Sequence, residues 1–318
     1  MSIRVYRPYP FRDDVDPAIS RELKRLGVRF EARLHPGTEG MVILLATKVN
    51  AGLLASLPKL RVVSNVAVGY DNVDVPGCTA RRVIVTNTPD VLTDATADLA
   101  WALLLGAARR VTEGDRYVRA GKFTKWDWEL MRGVDVHGKT LGIVGAGRIG
   151  QAVARRGLGF SMEVLYTARE KKPAFERLTG ARKVALDRLL RDSDFVSIHV
   201  PLSAETRHRI GARELALMKP TAVLVNTARG PIVDEAALVK ALKSGRLRAA
   251  GLDVYEKEPE VHRGLLELEN VALLPHVGSA TAETRRRMYE TALRNLVAAL
   301  AGRRPPNGLN AKALGLRP

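Results

Sequence analysis

The feature that most restricts the fold is a strand–turn–helix signature at residues 139–155. The run Lys139-Thr140-Leu141-Gly142-Ile143-Val144 is apolar and partly β-branched, and it enters three glycines spaced G-x-G-x-x-G at Gly145, Gly147 and Gly150. Gln151-Ala152-Val153-Ala154-Arg155 then leaves with helical character. Gly145 suits a tight turn, Gly147 lets backbone approach a pyrophosphate, and Gly150 lets a helix pack closely on its strand. The helix N-terminus adds unpaired N–H groups and a partial positive charge. The spacing alone fits a plain glycine turn equally well. Its setting between strand and helix points to a dinucleotide site, with Gly145, Ala146, Gly147, Arg148 and Ile149 around the phosphates.

A length of 318 residues predicts two domains, each able to bury its own core. Hydrophobic and charged fractions of 46% and 27% describe an ordinary globular protein. No apolar run has membrane-spanning length, and residues 1–5 lack a signal-type apolar segment. Cys78 is the single cysteine, so no intrachain disulfide forms and no metal site is expected. This composition fits a reducing cytoplasm. The net charge of +17 raises the question of nucleic acid. Its arginines, however, are scattered as Arg109-Arg110, Arg155-Arg156 and Arg285-Arg286-Arg287 beside apolar helical positions. A solvated, arginine-heavy surface is the expectation, with no nucleic-acid partner and no membrane.

Strands alternate with helices along the chain. Residues 3–6, 28–34, 41–45, 60–65 and 83–87 read as strands, and 18–26 and 51–57 as helices. Residues 93–98 are read as the cap of a long apolar helix over 99–110 that crosses into the second domain. Later strands are expected at 139–144, 162–166, 195–201, 222–226, 249–254 and 271–274. Such alternation implies parallel sheets covered on both faces, whose ligands bind beyond the carboxyl ends of strands. Val68 and Gly69 stand at one such end, where Gly69 offers N–H groups to a carboxylate or is a simple turn glycine. Arg229, Asp253, Glu258 and His276 all fall just past others. Residues 117–134 read as irregular and hold Trp126 and Trp128, either as an interface or as local packing. The tail, 309–318, reads as loose or docked on the surface.

Cofactor choice rests on the end of the second nucleotide strand. An acid there would bind the ribose 2′-hydroxyl of NAD. Ala168 occupies that position, and Arg169 with Lys171 can hold a 2′-phosphate instead. Glu170 complicates this, because a one-residue shift restores an NAD-type acid. NADP(H) is expected, with NAD(H) as the alternative.

Six stretches together resemble the D-isomer-specific 2-hydroxyacid dehydrogenases, and among them the glyoxylate/hydroxypyruvate reductases. They are Val68 to Asp74, Thr86 to Asp98, Gly145 to Gly150, Asn226-Thr227-Ala228-Arg229-Gly230, Gly251 to Pro259, and Pro275-His276-Val277-Gly278-Ser279-Ala280. The resemblance implies a Rossmann cofactor domain (98–284) inserted into a flavodoxin-like substrate domain (1–97 with 285–318), both α/β and doubly wound. It also implies that Arg229, Glu258 and His276 are catalytic. Reducing a 2-keto acid requires a proton at the carbonyl oxygen, and an imidazole holds one near neutrality. A carboxylate such as Glu258 beside it favours the charged ring. Arg229 would orient the acid and stabilise developing negative charge.

By the same resemblance, the backbone of Val68 and Gly69 takes the substrate carboxylate. His199, Pro201, Thr227, Ala228, Asp253 and Gly278 join the cofactor contacts, with Asp253 facing the nicotinamide amide. Trp126 reaches the site of a second subunit in a homodimer. The regulatory extension of many phosphoglycerate dehydrogenases is not expected, and Glu258 stands where formate dehydrogenases carry glutamine. Two other readings remain: an NAD-linked dehydrogenase of another D-2-hydroxyacid, and a dinucleotide-sensing corepressor-like protein without significant turnover.

Overall fold

The computed structural model describes residues 2–11 and 15–316, and they divide into two compact units. The first comprises Met1–Leu92 with Ser279–Pro318, the second Thr93–Gly278. The divisions fall a few residues before those expected at 97/98 and 284/285. The first shift has a local reason: residues 93–98 do not cap the long helix but form its opening turns, because the helix runs Thr93–Ala108.

In the first unit the strands are β1 (Ile3–Tyr6), β2 (Val28–Glu31), β3 (Gly40–Ile43), β4 (Val62–Asn65) and β5 (Ile84–Thr86). They form a parallel sheet in the order β2-β1-β3-β4-β5, which is the flavodoxin-like order. Short polar side chains start the covering helices. Asp16, Asn50, Asp74 and Thr281 each accept a backbone N–H from the first turn of the helix they precede, relieving one orphan donor apiece. β3 and β4 are buried along their whole length, as a strand covered on both faces requires. Met41, Ile43, Leu54, Val63, Cys78 and Val85 fill one side.

The helix Ala282–Leu300 belongs to this same unit. Ser64 Oγ donates to Ala292 O at 2.7 Å and Asn295 Nδ2 to Asn87 O at 3.1 Å, so the helix is keyed to the sheet by buried polar contacts. Of the two readings of the tail, the described residues show the docked one: Leu309 N donates to Val85 O, and Asn310 and Ala311 are buried. Residues 317 and 318 lie outside the described residues.

The second unit holds β6 (Thr140–Val144), β7 (Glu163–Thr167), β8 (Arg182–Lys183), β9 (Phe195–Ile198), β10 (Val223–Asn226), β11 (Ala249–Leu252) and β12 (Val271–Leu273). The parallel order is β12-β11-β10-β9-β6-β7-β8, in which the first strand sits centrally and the winding reverses beside it. That is the Rossmann arrangement, and its ligand crevice lies at the carboxyl edge beside the reversal. The two-residue β8 was not anticipated, being too short and too polar to give a periodic signal. Val223, Leu224 and Val225 are fully buried; each such side chain contributes about 1.5–3 kcal/mol on leaving water. Leu103 of the long helix lies so close to Gly251 that a β-carbon there would meet its backbone. Trp101 anchors the same helix by stacking on Phe160, with centroids 4.6 Å apart, and by donating Nε1–H to Val153 O.

Much of the positive charge is paired. Arg110 forks onto the buried Glu113, Arg156 meets Asp94 and Asp98, and Arg286 meets Glu290. The exposed ones among these pairs contribute little to stability. No helix among the described residues is long and apolar enough to cross a membrane.

Candidate functional site

The glycine turn follows β6 directly. Gly145 has φ +101°, a conformation open to glycine, and a β-carbon there would press on Val200 and the His199 carbonyl. At Gly150 a β-carbon would overlap the Gly145 carbonyl oxygen. At Gly147 it would meet nothing within 4 Å. The three positions therefore differ as the spacing predicts: a strained turn, an open approach and a close helix contact. Gly147 is the N-cap of the helix Arg148–Gly157, and no side chain caps it. Its first turn directs N–H groups outward, which suits an anion. Gly145 N and Ala146 N bond instead to Thr167 O, tying the turn to the end of β7.

The other expected cofactor residues end neighbouring strands of this sheet. His199 and Pro201 follow β9, Thr227 and Ala228 follow β10, Asp253 follows β11, and His276 with Gly278 follows β12. His199 Nε2 is 2.8 Å from Ser197 Oγ, and burial drives its pKa down to about 3, so the ring is neutral. The Thr227 hydroxyl is buried without a hydrogen-bond partner among the described residues. A buried hydroxyl usually finds one. Together with the open ground at Gly147, this makes the edge fit a polar ligand such as a dinucleotide.

Ala168, Arg169 and Glu170 follow β7. Arg169 and Glu170 are exposed, and the Arg169 guanidinium has no partner among the described residues. The Lys171 ammonium lies 3.4 Å from Glu176 Oε2.

Arg229, Glu258 and His276 all belong to this unit. His276 Nδ1 lies 2.7 Å from Glu258 Oε2, and Glu258 Oε1 accepts Tyr255 N–H at 3.0 Å. Burial works to raise the Glu258 pKa. The His276 hydrogen bond and charge, the Tyr255 N–H and the Arg229 charge outweigh it and hold the carboxyl below its ordinary value. Glu258 is therefore ionised near neutrality and can only accept, which fixes the proton on Nδ1 of His276 and leaves Nε2 for other chemistry. The His276 backbone is left-handed, φ +55°. Asp253 holds that turn: it is 1% exposed, and its two oxygens accept Val277 N–H at 2.7 Å and Gly278 N–H at 2.8 Å. Burial raises its pKa against those bonds. Its carboxylate thus acts on the histidine turn, a role the sequence did not reveal.

Asn226 builds the loop of Arg229, taking Ala228 N–H on Oδ1 and donating Nδ2–H to Arg229 O. Gly230 lies so close to Tyr255 that a β-carbon would overlap its carbonyl group.

In the first unit, Val68 and Gly69 follow β4 as expected. Gly69 does not adopt positive φ. The carbonyls are held, Gly69 O by Asn65 Nδ2 and Val68 O by Asn87 Nδ2. The two N–H groups have no acceptor among the described residues. Asn72 braces the same loop through Leu44 O and Thr47 O. The sequence places Asn65 in a strand and Asn72 and Asn87 in motifs, with no sign of these contacts.

Trp126 and Trp128 are each 92% exposed, and the Trp126 ring meets Phe123 edge-on at 6.3 Å. Packing within the loop therefore does not cover them. Among the described residues no group of three or more acidic, histidine or cysteine side chains could hold a metal ion.

Residues 101–278 match the family described as "D-isomer specific 2-hydroxyacid dehydrogenase, NAD binding domain". The chain belongs to the D-isomer specific 2-hydroxyacid dehydrogenase family. Among its relatives, the glyoxylate reductase of Thermococcus litoralis is 51% identical over 284 residues, covering 88% of this chain and 86% of the relative. That of Korarchaeum cryptofilum is 53% identical over 282 residues, covering 88% and 85%. A solved structure of an NADPH-dependent glyoxylate/hydroxypyruvate reductase from Sinorhizobium meliloti, in complex with NADP and malonate, superposes with TM-score 0.85 at 33% identity, covering 97% of each chain. Family membership makes this chain an NAD(P)-dependent 2-hydroxyacid oxidoreductase with a small-molecule acid substrate.

Proposed function

We propose that the protein reduces glyoxylate and hydroxypyruvate, to glycolate and D-glycerate, with NADPH. The observation that carries this reading is the 2.7 Å His276–Glu258 bond at the sheet edge that also bears the glycine turn. The unit 93–278 is then the cofactor domain and the other the substrate domain. The dinucleotide phosphates are assigned to Gly145, Ala146, Gly147, Arg148 and Ile149. His199, Pro201, Thr227, Ala228 and Gly278 are assigned to the remaining cofactor contacts. Reduced nicotinamide, when bound, supplies a hydride. His276 holds a proton on Nε2 and delivers it to the substrate oxygen, and Glu258 keeps the proton on Nδ1 and stabilises the charged ring that precedes the transfer. Arg229 orients the keto acid and offsets negative charge growing on that oxygen. Carboxylate recognition is assigned to the Val68 and Gly69 N–H pair, and the exposed Trp126 to the site of a second subunit in a homodimer.

The preference for NADPH rests on Arg169, exposed and unpaired where Ala168 replaces an acid. Purified protein with glyoxylate or hydroxypyruvate should consume reduced-nicotinamide absorbance rapidly with NADPH. A charge-assisted contact of about 1.5 kcal/mol corresponds to about tenfold in affinity. Arg169→Ser should therefore weaken NADPH by about that factor and leave NADH unchanged. Consumption of NADH alone would transfer the ribose contact to the adjacent Glu170, the NAD-linked reading. Consumption of neither cofactor with either acid overturns the proposal.

A further inference from the structure

The segments carrying Arg229 and Glu258 are joined by two acidic residues that the proposed reaction does not use. Glu235 opens the helix Glu235–Lys243, which follows Arg229 through the short turn Gly230–Ile232. Glu256 lies two residues before Glu258. Glu235 N–H donates to Glu256 Oε1 at 2.9 Å, and Glu256 N–H donates to Glu235 Oε1 at 2.7 Å. Each carboxylate thus serves the other residue's backbone, closing a reciprocal pair across two separated segments. The second oxygen of Glu256 meets His208 Nε2 at 3.1 Å, and His208 N–H reaches back to Pro231 O. Glu235 is only 7% exposed, and Glu256 and Glu258 both bear on it electrostatically. Bringing acids this close has a cost: burial holds Glu235 above its ordinary pKa. An apolar contact would join the segments without that cost, but it would leave two backbone donors without these acceptors.

We propose that Glu235 and Glu256 are positioning residues, forming a clasp that sets Glu258, and through it His276, relative to Arg229. The inference rests on the functional reading above. A displacement of about 1 Å in such a constellation costs on the order of 10²-fold in rate. Glu256→Ala removes the acceptor for Glu235 N–H and frees the loop before Glu258. Its kcat with glyoxylate should fall at least tenfold while its KM for NADPH stays as in the wild type. Glu256→Gln keeps an acceptor oxygen and should restore most of the rate, which a loss of general stability would not allow. Amide hydrogen exchange over 254–258 and at 235 should quicken in Glu256→Ala and remain slow in Glu256→Gln. Wild-type kcat in Glu256→Ala, or failure of Glu256→Gln to recover a lost rate, overturns the clasp and leaves the reductase reading intact. Absence of turnover in the wild type itself overturns that reading, and the clasp's catalytic role with it.

Discussion

The turns after β6 and β12 end strands of one sheet at the same edge, yet they work by different means. After β6 the exposed groups are backbone, and what the turn demands is missing side chains: room at Gly147, a permissive φ at Gly145 and contact without a β-carbon at Gly150. After β12 the working group is a side chain, and His276 depends on partners from elsewhere. Glu258 fixes its proton, and Asp253 grips the two residues that follow it. A backbone site is therefore inseparable from its local fold, whereas a side-chain site can lose its chemistry and keep its shape. Mutations in the two turns should divide accordingly.

The largest effect belongs to the side-chain turn. His276→Ala removes the proposed proton donor, and general acid catalysis is worth about 10²–10⁴-fold. Steady-state turnover of glyoxylate should fall by that order, while titration of nicotinamide fluorescence gives an unchanged affinity for NADPH. If affinity fell in parallel, the two turns would form a single element and the contrast would collapse.

Next comes Gly150→Val. Its β-carbon meets a backbone carbonyl rather than the end of a flexible side chain, so the helix must move away from the turn. Overpacking costs about 1–3 kcal/mol. The thermal midpoint should fall, and the rise in midpoint that NADPH gives the wild type should vanish with it. A variant that lost stability but kept that ligand-induced rise would show that the phosphates do not use this turn.

The same contrast explains what the sequence disclosed. The glycine turn was legible because its determinants lie within six consecutive positions and each glycine answers a separate steric demand. Strands such as β10 were legible as short apolar runs, and the expected α/β architecture is observed in both sheets. Arg229, Glu258 and His276 stood out by their places just past strand ends, but a shared catalytic role came only through resemblance, since it depends on the order of β10, β11 and β12. What escaped was the supporting layer. The carboxylates of Asp253, Glu235 and Glu256 and the amides of Asn65, Asn87 and Asn226 act on backbone N–H and carbonyl groups brought in by the fold, and such bonds leave no periodicity. Residues 93–98 misled because Thr93, Asp94 and Asp98 have the composition of a cap, although tertiary contacts continue the helix through them.

The smallest effect sharpens the comparison within the side-chain site itself. Glu258 is a partly exposed acid and Asp253 a fully buried one, and their shifts have opposite signs. Glu258 is held below its ordinary value, so the folded state binds fewer protons there than the unfolded chain. Its contribution to stability is complete above the unfolded value of about 4.3 and is lost as pH falls through the lower folded value. Asp253 is raised by burial, so its contribution runs the other way and weakens as pH rises through its folded value. Glu258→Gln should therefore melt below the wild type at neutral pH, and the gap should close on acidification below about 4.3. With 32% of the Glu258 side chain exposed, solvent screens the interaction and the gap is small. Thermal unfolding at a series of pH values measures it. A gap that stayed constant to low pH would mean that the His276 contact stabilises through shape rather than charge, and the ionised carboxylate that fixes the Nδ1 proton would have to be abandoned.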